Sequence, residues 1–113
     1  MQDIHLEKAI AELASREREF IEAQKDFPGK KHEYKLKFAC AIKQADGTEK
    51  VKEATAVQIT SREYREFLEA EARLEIAKTL LYDVKSVIEA RRSLLSNEKS
   101  ERDFVARGNS AGA

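Results

Sequence analysis

The chain has 113 residues, with 21 Lys plus Arg against 21 Asp plus Glu, so its net charge is zero. One domain fits that length, and the charge balance gives no global attraction to nucleic acid or to an anionic membrane. The single cysteine excludes an internal disulfide and, with no apolar run near the roughly 18 residues of a membrane span, leads to the expectation of a cytoplasmic protein without membrane contact.

Residues 3–25 read as a first helix. Leu6, Ile10, Leu13 and Phe20 follow four-three spacing, with the charged Glu17 at one seam position, and Glu12 and Arg16 form a favourable pair one turn apart. Phe27-Pro28-Gly29 is expected to end it, because proline restricts the residue before it and glycine frees the next.

Residues 30–45 fit two periods. Tyr34, Leu36, Phe38, Cys40 and Ile42 alternate with Lys35, Lys37, Ala39, Ala41 and Lys43, as in a strand, and place Cys40 in an apolar row. A helix would instead gather Tyr34, Phe38, Ala41, Ile42 and Ala45 on one face. The Lys, Leu and Ala content, with one β-branched residue, favours the helix. Asp46-Gly47 is then a helix stop and Thr48 the N-cap of a short helix through Val51, Ala54 and Thr55. On the strand alternative, Asp46-Gly47 turns a hairpin whose second strand covers 51–59.

From Thr60 the pattern is plainer. Phe67, Leu74, Leu81, Ile88 and Leu95 recur at a strict step of seven, with Ala70, Ala77, Val84 and Arg91 between them. This is the seam of a helix packed lengthwise on another. Thr60 and Glu63 have capping-box spacing, and Ile59 and Tyr64 occupy the staple positions. Gly108, preceded by Arg102 and Arg107, marks the expected end. A helix of roughly 45 residues spans on the order of 65–70 Å, and a flanking row of Leu80, Val87 and Leu94 widens its apolar face. A stripe that broad needs more than one partner.

The expected fold is therefore all-α: a helical hairpin or bundle with one long, amphipathic, coiled-coil-like C-terminal helix, assembling as a homo-oligomer. Residues 1–107 form the single domain and 108–113 a disordered tail. The expected oligomer interface is Phe67, Leu74, Leu81, Val84, Ile88 and Leu95. The alternative is a monomer whose long helix bends or breaks near Ser96-Asn97, after the seam has stopped.

Chemistry for catalysis is not visible. Pro28-Gly29-Lys30-Lys31 lacks the second glycine and hydroxyl of a phosphate loop. Cys40 and His32 have no third residue to orient them, and His5 has no neighbouring ligand at metal spacing. The run Glu63, Glu66, Glu69, Glu71 and Glu75 suits the positive end of a helix without a metal. No catalytic residue, metal ligand or cofactor is assigned. Charge is nevertheless uneven. Lys30, Lys31, Lys35, Lys37 and Lys43 lie close in sequence to Tyr34 and Phe38, and lysines beside rings suit single-stranded nucleic acid, with Arg91 and Arg92 as further phosphate contacts. The plainer account makes Tyr34 and Phe38 core and the lysines a solvated face.

Tyr34-Lys-Leu-Lys-Phe-Ala-Cys-Ala, Gly47-Thr48, Lys52-Glu-Ala-Thr-Ala, Glu69-Ala-Glu-Ala and Arg91-Arg-Ser-Leu-Leu-Ser together resemble a diffuse group of small helical bacteriophage proteins. The rhythm from Leu74 through Ile88 to Phe104 is similar to the closing helix of recombination mediators of the UvsY kind. That resemblance implies a ring-forming oligomer that holds single-stranded DNA, or a recombination or replication protein, as an accessory factor. Two other functions fit the residues: an oligomeric scaffold or adaptor without nucleic acid, and, on the strand alternative, a prefoldin-like helix–hairpin–helix chaperone.

Overall fold

Helix accounts for 95% of the described residues, 4–111, in the computed structural model, with side chains described as far as Arg107. The helices are α1 (Ile4–Gln44), α2 (Glu49–Ile59) and α3 (Ser61–Ala111), and no strand occurs among the described residues. The helical reading of 30–45 is the one that forms. Tyr34, Phe38, Ala41, Ile42 and Ala45 are the covered face, and the hairpin needed for a prefoldin-like layout is not there. Cys40 is a correction: it is exposed, because the row that would have covered it belongs to the strand period.

The expected stop at Phe27-Pro28-Gly29 does not occur either. Pro28 lies inside α1, where it cannot donate to the Gln24 carbonyl, a defect that costs about 3 kcal/mol in a helix interior. Contacts on both sides of Pro28 hold the helix through it. Phe27 stacks on Phe67 at 5.7 Å, Asp26 meets Arg73 at 3.5 Å and Lys30 meets Glu66 at 3.6 Å. The covered positions of α1 also keep one step of seven across the proline: Leu6, Leu13, Phe20, Phe27, Tyr34 and Ala41. Its second covered row is Ala9, Arg16 and Ala23, whereas Ile10 and Glu17, the expected seam positions, face outward.

α1 ends where Gly47 takes φ 110°, a backbone that other residues rarely adopt. Thr48 then caps α2 as expected: its hydroxyl accepts from the Val51 N–H at 3.4 Å, and its carbonyl accepts from the Lys52 N–H at 2.9 Å. Thr60 serves two helices in a different way from the expected capping box. Its hydroxyl donates back to the Ala56 carbonyl at 2.7 Å, and its own carbonyl accepts from the Tyr64 N–H at 2.9 Å. One buried threonine thus closes α2 and opens α3. α3 runs unbroken through Ser96-Asn97 and past the stop expected at Gly108. The backbone is helical as far as Ala111, within the stretch expected to be a disordered tail, and the side chains of 108–113 and residues 112–113 altogether lie outside the described residues.

Two units make up the chain, one formed by residues 18–79 and the other by 1–17 with 80–113. In the 18–79 unit, α1 and α3 run antiparallel. Tyr34 stacks on Phe67 at 5.7 Å and meets Tyr64 at 5.1 Å and Phe38 at 5.9 Å. The alanines Ala23, Ala41, Ala56, Ala70 and Ala77 of this unit are buried. In the unit of 1–17 and 80–113, the core is Ala9, Val84 and Ile88 with Leu6 and Leu13 packed against it. α3 continues from this core with every side chain from Arg92 to Arg107 exposed.

Candidate functional site

The proposed nucleic-acid residues divide between the two units. Lys30, Lys31, Tyr34, Lys35, Lys37 and Lys43 belong to the 18–79 unit, and Arg91 and Arg92 to the other. Tyr34 is half-buried and turned into the aromatic cluster, so its ring faces belong to Phe67 and Tyr64 rather than to a base. Lys30 pairs with Glu66. Lys37 donates to Glu63 Oε1 at 3.0 Å and lies 3.8 Å from Glu33. Lys31 stands 6.0 Å from the centre of the Phe27 ring. Lys35 and Lys43 are exposed, as is His32.

The Lys37–Glu63 pair is the best-defined polar contact between α1 and α3. Glu63 is buried, at 8% exposure, and its Oε2 has no hydrogen-bond partner among the described residues. The hydrogen bond from Lys37, then that from the Glu63 backbone amide, holds this carboxyl below its ordinary range, against the opposing pull of burial. The same hydrogen bond raises Lys37 above the usual lysine value, helped by the charge of Glu63. Both groups therefore stay ionised across the neutral range, which suits a structural tie and not proton transfer.

The expected oligomer seam is largely occupied within the chain. Phe67 packs on Phe27 and Tyr34, Leu74 is half-buried, Leu81 is buried, and Val84 and Ile88 join Ala9. Within each unit it is α1 that covers the seam. Leu95 is the member of the set left at the surface, 36% exposed. The flanking row is also uncovered, with Val87 at 45% and Leu94 at 53%, while Leu80 is half-buried.

Leu80 and Val87 line a groove of about 350 Å³ between the start of α1 and α3. Ala9 and Val84 lie with them in its apolar part, and Lys8, Glu12, Asp83 and Arg91 are among its charged residues. An apolar strip with charged residues of both signs around it is suited to a helix laid along it. Among the described residues, no group of three or more His, Cys, Asp or Glu side chains could hold a metal ion, and no helix is long and apolar enough to cross a membrane. Comparison with protein families, characterised proteins and solved structures gives no match to this chain.

Proposed function

We propose that this protein is a helical assembly module, a scaffold or adaptor that works by packing further helices, including those of a second copy, against α3. The observation that carries this reading is the row Leu80, Val87 and Leu94. It repeats at seven residues beside the seam that α1 covers, and two of its three members are about half exposed. A second seven-residue row that is left about half exposed beside a covered seam is suited to packing a third helix. Sedimentation equilibrium across micromolar concentrations tests the reading: wild type should exceed its monomer mass of 12.9 kDa. Val87→Asp should lower the mass without loss of helix, since Val87 is outside the α1–α3 core. A wild type that stays monomeric throughout would overturn self-assembly.

The accessory role in recombination, with single-stranded DNA as ligand, is a second reading. It is supported by exposed Lys31, His32, Lys35 and Lys43 on one side of α1 and by the phage-like sequence pattern. It dispenses with Tyr34 as a stacking platform. Binding of an unstructured oligonucleotide should then fall with salt at a log–log slope of about −0.7 per phosphate neutralised. Lys35→Glu with Lys43→Glu should flatten that slope, and absence of binding at about 50 mM salt would remove the reading.

A further inference from the structure

The seam of α3 does not stop where α1 stops covering it. Continuing the step of seven from Leu81 and Ile88 gives Leu95 and Arg102. Continuing it from Val84 and Arg91 gives Glu98 and Val105. All four lie in the stretch 92–107, where every side chain is exposed, although Leu95 and Val105 are large and apolar. That stretch is about 24 Å of helix with Ser93, Ser96, Asn97, Ser100 and Asp103 in it, a composition of modest helix propensity. A helix of this length and composition draws most of its stability from packing.

We infer that the seam stretch Leu95–Val105 of α3 pairs antiparallel with the same stretch of a second copy, about a two-fold axis at Ser100. The inference rests on the self-assembly reading and adds a contact between copies beyond the row of Leu80, Val87 and Leu94. The order of charges decides both partner and direction. In that register Leu95 meets Val105 of the second copy and Glu98 meets Arg102 of the second copy, and symmetry repeats each contact once. Seam positions of one type thus face positions of the other, as antiparallel helix pairs require, and every ion is opposite its counter-ion. A parallel, in-register pair would set Glu98 against Glu98 and Arg102 against Arg102, like charges within a partly desolvated seam. Four apolar side chains and two ion pairs make a small contact, below the roughly 1,200 Å² of a standard stable interface. The pair is accordingly concentration-dependent and weakened by salt.

Cross-linking tests the register. In a Cys40→Ser background, the Leu95→Cys and Val105→Cys proteins are oxidised alone and as an equal mixture, with sedimentation and circular dichroism run on wild type and each variant. The expected result is cross-linked dimer in the mixture and little from either protein alone, with helix content unchanged. Cross-linking of each protein with itself would overturn the antiparallel register in favour of a parallel one. Absence of cross-linking, with wild type still heavier than a monomer, would overturn this contact and leave self-assembly standing. A monomeric wild type would overturn both. A charge set gives an independent check: Glu98→Arg and Arg102→Glu should each abolish the cross-link in the mixture, and both together should restore it. A cross-link indifferent to all three would overturn the charge argument.

Discussion

The unit of residues 18–79 and the unit of 1–17 with 80–113 use the same seven-residue step but close it with different chemistry. The first has interlocked rings of Phe27, Tyr34, Phe38, Tyr64 and Phe67 and three ion pairs between α1 and α3, through Asp26, Lys30 and Lys37. The second has an aliphatic core built on Ala9, Val84 and Ile88, with Leu6 and Leu13 packed against it. Aromatic contacts supply large buried area and preferred ring geometry, whereas the aliphatic core depends on close fit alone. The rings are also where the proline lies. A step of seven defines where two helices touch, and the residues placed on it define how much local disruption the contact tolerates.

The comparison can be broken most forcefully at its aromatic end. Phe67→Ala removes the ring that touches Phe27, Tyr34 and Tyr64, and because Phe67 is only half-buried the cost is set at about 3 kcal/mol, the low end for such truncations. Amide hydrogen exchange should accelerate within 18–79 more than within 4–17. Equal acceleration in both would mean that the two units unfold as one. Ile88→Ala, in the smaller core, should cost about 2 kcal/mol and reverse the pattern, with protection lost first in 4–17 and 80–91.

A gain is expected at Gly29, where an added Cβ would meet nothing within 4 Å. Gly29→Ala should stabilise by about 0.5–1 kcal/mol, visible as a higher Tm. A lower Tm would show that the helix needs glycine flexibility after Pro28. The smallest effect is that of pH on the Lys37–Glu63 pair. Glu63 has a lowered pKa in the folded chain, so its contribution is present above the ordinary carboxylate range and fades as pH falls through the lowered value. Lys37 has a raised one, so its contribution is present at neutral pH and fades as pH climbs past the raised value. Thermal melts should be flat between those limits, and Glu63→Gln should reduce the acid-side slope. An unchanged slope would assign it to other carboxylates.

Much of this fold was legible from residue spacing, and the failures have physical causes. The α3 seam, the face of Tyr34, Phe38 and Ala41, and the Thr48 cap each show in short-range patterns, because a helix repeats itself locally. Pro28 misled because its local penalty is real, and only contacts with distant Phe67, Glu66 and Arg73 offset it. A clue was nevertheless present in Leu6, Leu13, Phe20, Phe27 and Tyr34, whose step ignores the proline. Four-three spacing from Leu6 points to Ile10, the larger hydrophobe, and not to Ala9 or Ala23, yet a close helix pair favours the small side chain. Thr60 was assigned the right junction and the wrong bond. For the candidate site, the lysines and Tyr34 were identified by type and proximity in sequence, which could not tell that Glu63, Glu66 and Phe67 already hold three of them.

The spacing of partners along the chain also bears on how the molecule is made. Lys37 and Glu63 are 26 positions apart, and Asp26 and Arg73 are 47 apart. Ala9 meets Val84 and Ile88 across most of the chain. Closing a loop costs more as it lengthens, so pairing near Gly47 is favoured first and each contact brings the next pair within reach. On a ribosome, Leu6, Ala9 and Leu13 would have no cover until the residues beyond Leu80 follow. The start of α1 is thus the last part of it to find its core, and until then its apolar face is open to whatever chaperone or sister chain is near.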